Sequence, residues 1–340
     1  MSRVVKFHKF GGPEVLQFEE AVFGEPAVGE LRIKVGAIGI NRMEIVHRMG
    51  GFGPQTKLPA VLGSEAAGTV EAVGEGVTGF NVGDRVATIP GFTTVPGFAT
   101  PMPNHVFAVY GEQAFVPAEM VVKLPNDTTF IEGAAIWMSY GTAWNSMVRV
   151  AGVQPGEYVL LVAATSPVGI AAIQTVKAQG GIPIATTRSR AKVAALKALG
   201  VEHVIVTDEQ DIPTEVARIT GGVGCRVIYD PVAGTSVEKL LDALSMEGLL
   251  LIYGVLDLAP ARIDPLKGLA KLATVKFSSV QGTFRVPEHR IRMIDYIQQG
   301  LANRTLSPVI DATYSFDEIA EAHRHVESNR HIGKVVVTVD

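Results

Sequence analysis

From residue 158 onward, short continuous apolar runs alternate with longer amphipathic stretches, a pattern that few folds can satisfy. The runs occupy 158–163, 182–186, 203–206, 227–229, 249–253 and 275–280. They are strand-length and apolar at successive positions, so a strand made from any of them is buried on both faces. Candidate helices fall between them at 169–179, 190–199, 214–220, 236–245 and 265–273. Strand and helix alternating in this way predict a six-stranded parallel sheet covered on both sides by its own crossover helices.

The first part of the chain reads differently. Up to residue 125 there are short β-like runs at 31–35, 68–73, 85–89 and 113–116, broken by Gly and Pro, which predict a β-rich barrel. Past residue 282 a helix at 286–299 and a strand at 333–339 are assigned to this first domain. A chain of 340 residues exceeds one ordinary core. The expected division is 1–126 with 284–340 as one domain and 127–283 as the other.

Composition narrows the function. Apolar residues make up 47% and charged residues 19%, a balance suited to a large α/β enzyme with buried sheets. The net charge of -4, with no basic run, argues against nucleic acid and for a small-molecule substrate. The single cysteine, Cys225, excludes an internal disulfide and a Cys-rich metal knuckle, and is compatible with a cytoplasmic protein. The longest apolar run, 158–164, is far shorter than the roughly 20 residues that span a bilayer, so no membrane helix is expected. Residues 1–12 lack a secretory pattern and read as mature sequence.

After the first apolar run comes Ala163-Ala164-Thr165-Ser166-Pro167-Val168-Gly169, at the point where a dinucleotide-binding fold carries Gly-x-Gly-x-x-Gly. Only the last glycine is present. Small residues still allow close approach, and the free N–H groups and dipole of a helix start favour a pyrophosphate. Pro167 suits a first helical turn, and Ser166 can cap it or donate to phosphate. The second run ends in Thr186-Thr187-Arg188-Ser189-Arg190-Ala191-Lys192, where NAD enzymes carry an acid for the ribose hydroxyls. Arg188 and Lys192 instead offer cations to a 2′-phosphate. One charge-assisted hydrogen bond of roughly 1.5–3 kcal/mol changes affinity about ten- to a hundredfold, so NADPH is the expected cofactor.

These residues, with Leu62-Gly63-Ser64-Glu65-Ala66-Ala67-Gly68, Gly83-Asp84-Arg85-Val86 and Gly333-Lys334-Val335-Val336, resemble the medium-chain dehydrogenase/reductase superfamily along the whole chain. Gly39-Ile40-Asn41 and the Ala-rich loop are similar to its quinone oxidoreductase branch. The resemblance implies an α/β protein with a GroES-like catalytic domain and a Rossmann domain. It also implies hydride transfer from NADPH to a quinone or to the β-carbon of an α,β-unsaturated carbonyl. Zinc members of the superfamily carry Cys where this chain has Asn41, His where it has Ser64, and four clustered Cys elsewhere. An amide and a hydroxyl do not replace those ligands, so no zinc is expected.

The resemblance puts Asn41 near the nicotinamide, as donor to cofactor or substrate oxygen. It also places Thr142, and the backbone of Tyr253-Gly254-Val255, at the nicotinamide end. Thr165, Ser166, Pro167, Val168, Gly169, Thr187, Arg188 and Lys192 complete the expected cofactor contacts. Tyr140 is expected to face the substrate cleft as a hydrogen-bond donor or proton relay, and Glu65 to be structural. Tyrosines found in the branch after the Asn are replaced here by Val46 and Phe52. The segment 91–110, with Phe92, Phe98, Met102 and Phe107, is read as a candidate lid. His8, His47, His105, His203, His289, His323, His325 and His331 lack metal-ligand spacing, and His323 and His325 are read as solvent-exposed. The edge strand at 275–280 predicts a homodimer. The alternative functions are a non-catalytic, crystallin-like NADPH-binding protein and, less favoured by the missing ligands, an alcohol dehydrogenase.

Overall fold

The computed structural model describes residues 1–51, 57–90 and 108–340. They form two compact units, Met1–Met138 with Pro308–Asp340, and Ser139–Ser307. In the first, the chain lays down β1 (Ser2–Phe7), β2 (Gln17–Ala21), β3 (Glu30–Gly39), β4 (Ala60–Val61), β5 (Ala66–Val73), β6 (Arg85–Thr88), β7 (Gln113–Pro117) and β8 (Val121–Lys123). The second holds β9 (Tyr158–Leu161), β10 (Ile182–Thr187), β11 (His203–Val206), β12 (Cys225–Asp230), β13 (Leu244–Ile252) and β14 (Thr274–Phe277). The chain then returns for β15 (Ile310–Ser315) and β16 (Lys334–Thr338).

In the second unit all six strands run parallel in the order β11-β10-β9-β12-β13-β14. This is the doubly wound arrangement read from the apolar runs. Leu160, Ile184, Ile205, Ile228 and Leu250 fill its core beside the buried Cys225. The strand order reverses at β9, with β10 on one side and β12 on the other, and a ligand crevice forms at the carboxyl ends of strands at such a point. There the helix Pro167–Ala178 begins, with Ser166 accepting from Gly169 N at 3.1 Å and Pro167 in the first turn. Gly169 is required by space: a Cβ there would lie 2.7 Å from the Ala164 backbone.

Two boundaries differ from those read in the sequence. The helix expected at 236–245 ends at Asp242, and β13 starts early, with a register shift against β12 between Cys225 and Val227. The units divide at 138/139 and 307/308 rather than at 126/127 and 283/284. Packing accounts for both of those shifts. Phe130 occupies the space left by Gly36 in β3, and Met138 N donates to Glu65 Oε1 at 2.9 Å, which holds 127–138 to the barrel unit. The helix Pro287–Ala302 buries Met293 and Ile297, Thr283 donates to Asn145 Oδ1 at 2.8 Å, and Ser307 N donates to Gln174 at 2.8 Å. Segment 284–307 therefore belongs with the nucleotide sheet.

In the first unit β3 organises the main sheet, ordered β15-β16-β3-β5-β6-β8, with β7 also paired to β3. A smaller sheet runs β2-β1-β4. Antiparallel register sets Gly39 opposite Val336, so two residues further along, Asn41 lies opposite Lys334. On its other side Gly39 N donates to Glu65 O at 2.9 Å. The end of β3 thereby gathers Asn41, Ser64, Glu65 and Lys334 from three separate stretches of sequence. No described helix is long and apolar enough to cross a membrane.

Candidate functional site

Asn41 follows the last residue pair of β3 and starts the helix Arg42–Arg48. Glu44, three residues on, reaches back to accept from Asn41 N at 2.9 Å, half of a capping box. The Asn41 side chain is turned elsewhere. Its Oδ1 accepts from Lys334 Nζ at 2.7 Å, and the same ammonium donates to Glu65 Oε2 at 2.7 Å. Lys334 and Glu65 are fully buried, so this is an ion pair without solvent screening. Because an ammonium only donates, Asn41 must present Oδ1 to it and direct Nδ2 away. Nδ2 then finds only long contacts: Gly39 O at 3.2 Å, Glu65 Oε2 at 3.3 Å and Ser64 Oγ at 3.4 Å.

Glu44 connects this group to a second buried set. Its Oε1 meets both Ser64 N and Ser64 Oγ at 2.8 Å, and its Oε2 accepts from Asn41 N and from Tyr110 OH at 2.8 Å. Tyr110 OH also lies 2.9 Å from His323 Nε2, and Arg48 Nη1 lies 2.9 Å from His323 Nδ1. Arg48 further pairs with Glu327. The permanent donor Arg48 makes His323 Nδ1 an acceptor, which puts the ring proton on Nε2. Donation then runs one way, from Arg48 to His323, to Tyr110, to Glu44.

Burial sets the protonation tendencies here. Desolvation pushes the Glu44 carboxyl upward, against the lowering effect of its donors from Asn41, Ser64 and Tyr110 and the charge of Lys334. Tyr110 is raised by burial and by the neighbouring Glu44. His323 is lowered to about 3 by burial and by the Arg48 charge. The expectation that His323 is solvent-exposed is thus incorrect. His323 and His325 point apart on one helix, and it is His323 that faces the core, with no exposed surface. His325 bonds to Tyr314 and Asp311 at a half-buried position.

In the nucleotide unit the expected cofactor residues collect around the carboxyl ends of the strands. Ser166, Pro167 and Val168 are half-buried at the helix start, and Thr165 lies 3.4 Å from Lys192 Nζ. Thr187 ends β10, and Arg188 is exposed beside it, whereas Arg190 is engaged by Glu209. Tyr253 stacks on Tyr229 with ring centroids 3.8 Å apart, and its buried hydroxyl lies against the Ser166 side chain at the helix start. Gly254 backs onto the Pro231 carbonyl with no room for a Cβ, and Val255 is exposed. The Thr142 carbonyl lies 3.4 Å from Tyr229 OH. A helix start at the carboxyl end of β9, the exposed Arg188 and the stacked Tyr253 ring fit a dinucleotide cofactor. Tyr140 is placed differently: it is buried, and its hydroxyl donates to Gln174 Oε1 at 2.8 Å. Phe52, Phe92, Phe98, Met102 and Phe107, and with them all of the 91–110 candidate lid but its last three residues, lie outside the described residues.

Residues 27–126 match the family described as alcohol dehydrogenase GroES-like domain, and residues 199–337 match the zinc-binding dehydrogenase family. A quinone oxidoreductase of Pseudomonas aeruginosa is 30% identical over 99% of this chain and 99% of its own length. A 2-haloacrylate reductase of a Burkholderia species is 29% identical, covering 97% of both chains. Among solved structures, Escherichia coli quinone oxidoreductase complexed with NADPH has a TM-score of 0.87 at 28% identity, covering 99% of both chains. An NAD-dependent alcohol dehydrogenase has a TM-score of 0.89 at 30% identity, covering 99% of this chain and 100% of its own. The chain belongs to the medium-chain dehydrogenase/reductase superfamily. Within it, the chain falls in the quinone oxidoreductase-like branch, an oxidoreductase using a nicotinamide cofactor.

Glu44, Tyr110, Arg48 and His323 carry no signal in the linear sequence as a group, since only folding brings them together. A pH dependence follows from His323. Its folded pKa is lowered, so between about pH 6.5 and 3 the unfolded chain binds a proton that the folded chain refuses, and stability falls as pH falls. Wild type should lose up to about 1.4 kcal/mol per pH unit more than His323→Gln over that window, read by urea unfolding. Parallel pH profiles for the two proteins would contradict this placement.

Proposed function

We propose that the protein is an NADPH-dependent, zinc-independent reductase that transfers hydride to a quinone or to the β-carbon of an α,β-unsaturated carbonyl compound. The observation that carries this reading is the Lys334 ammonium held by Asn41 Oδ1 and Glu65 Oε2, beside Asn41 and Ser64, the two positions where the resemblance puts ligands in zinc relatives. A cation fixed there by two buried partners supports an oxyanion without a metal. Lys334 fixes the Asn41 amide so that Nδ2, which has only long local contacts, is the group available to a substrate carbonyl oxygen.

When bound, NADPH supplies the hydride. The chain's part is to hold it. The helix start at Ser166–Gly169 suits the pyrophosphate, and Arg188 and Lys192 suit a 2′-phosphate. Thr165, Thr187, Thr142 and the Tyr253-Gly254-Val255 backbone are assigned to the rest of the cofactor, and Asn41 and Ser64 to the substrate end. Tyr140, engaged by Gln174, is assigned an orienting part. The names of the relatives, quinone oxidoreductase and 2-haloacrylate reductase, support reduction of electron-poor double bonds. The buried Cys225 fits a reducing, cytoplasmic compartment.

A homodimer is part of the same proposal. Among the described residues the outer edge of β14 is unpaired; the strand carries Phe277, which is 76% exposed, and exposed Leu266, Leu269 and Leu272 precede it in the chain. An apolar strand edge of this kind calls for a partner strand, and a twofold axis supplies one from a second copy.

With purified protein, turnover of quinones and enones should be faster with NADPH than with NADH. Arg188→Ala should cut kcat/KM for NADPH about ten- to a hundredfold and leave that for NADH unchanged. A preference for NADH, or alcohol oxidation that depends on a bound zinc, would contradict the proposal. Sedimentation at micromolar concentration should find a dimer that Phe277→Glu dissociates; a wild-type monomer would exclude this interface.

A further inference from the structure

We propose that Ser64 is the proton donor to the substrate oxygen and that Glu44 is the acid that resupplies it. The inference rests on the reading that Asn41 meets the substrate carbonyl, because Ser64 Oγ is placed at the site by its 3.4 Å contact with Asn41 Nδ2.

Three features of the geometry point to this pair. The first is charge balance. The buried ammonium of Lys334 is hydrogen-bonded to Glu65, and the buried guanidinium of Arg48 is paired with Glu327, which leaves Glu44 as a buried carboxyl with no cation bonded to it among the described residues. A buried carboxyl in that position favours its neutral form. The second is where a proton can sit. Each Glu44 oxygen receives one backbone N–H, Asn41 N at Oε2 and Ser64 N at Oε1, so the hydroxyls decide: the Tyr110 proton is committed to Oε2 because the Arg48–His323 chain feeds donation in that direction. The acid proton is therefore confined to Oε1. The third is the hydroxyl partner there among the described residues, Ser64 Oγ at 2.8 Å. Once Ser64 Oγ accepts from Glu44, its own proton is free to point to another acceptor.

The step balances. Hydride adds to the β-carbon of the enone, and the displaced π electrons settle on the carbonyl oxygen. That oxygen takes the Ser64 proton as the Ser64 O–H bond breaks, and Ser64 takes the Glu44 proton. Glu44 is left as a carboxylate and regains a proton from water after product leaves. Ser64 is the catalytic residue. Glu44 acts through it, and Tyr110, His323 and Arg48 are positioning residues that keep Oε2 an acceptor.

The titratable and charged groups facing Glu44 are Tyr110, His323 and Arg48 along the donor chain, and Lys334 and Glu65 at the end of β3. Tyr110 is raised and His323 is lowered to about 3, so neither changes charge near neutrality. The upward push of burial on Glu44 supports the same assignment. In the cofactor-free protein, infrared difference spectra between wild type and Glu44→Gln should show a protonated carboxyl band at neutral pH that fades on raising the pH. Wild-type kcat on an enone should fall over the same pH range. Glu44→Gln and Ser64→Ala should each lower kcat about a hundredfold or more with NADPH affinity unchanged, and Ser64→Thr should restore most of it. An ionised Glu44 at neutral pH, or a Ser64→Ala enzyme with wild-type kcat, would overturn the proposal. Asn41→Ala separates the two levels. If Asn41→Ala is impaired while Ser64→Ala is not, only the donor assignment fails; if Asn41→Ala turns over normally, the reading of the substrate end fails as well.

Discussion

The Lys334–Glu65 ion pair constrains the first unit more than any other contact. Removing two charges from water costs several kcal/mol each, and the cost is met only when both are hydrogen-bonded at close range. Here the ammonium has Glu65 and Asn41, and Glu65 has Lys334, Asn41 Nδ2 and Met138 N. Each partner belongs to a different stretch of the chain. The pair therefore depends on the β3–β16 register, on the strand that follows Glu65, and on the 127–138 segment lying against the barrel. A one-residue slip in any of them would leave a buried charge unpaired.

The same pair dictates what the site can do. By taking Oδ1 of Asn41 it leaves the Nδ2 end of the amide with long contacts, and it places positive charge beside that amide. The second set, from Arg48 to Glu44, works by direction rather than by charge. A residue that can only donate sits at one end, and every hydroxyl and ring proton after it is ordered in turn. Two neighbouring carboxyls, Glu44 and Glu65, thus occupy opposite environments: one bonded to an ammonium, the other surrounded by neutral donors.

Much of this fold was legible because burial on both faces leaves a plain mark on sequence. The six parallel strands were readable from their apolar runs, and the Ser166 cap and Pro167 turn from local chemistry. Which core a helix packs on leaves no such mark: the sequence pattern assigns the helix at 286–299 to the first domain, whereas Met293, Ile297 and Thr283 pack in the nucleotide unit. Asn41 was recognisable by resemblance. Lys334 stood in a recognised tail motif, but its role depends on a register set across most of the chain. Glu44, Tyr110 and His323 are isolated polar residues in sequence. For His323 the helical spacing showed only that it and His325 point apart, and packing chose which one is buried.

A double-mutant cycle on Lys334→Met and Glu65→Gln, read by denaturant unfolding, tests the central claim most directly. Each single change leaves a buried group without its partner and should cost about 3–5 kcal/mol. The double variant should be more stable than the sum of the two losses by about 2 kcal/mol or more. Additive losses, or single variants as stable as wild type, would show that the pair does not hold this site together.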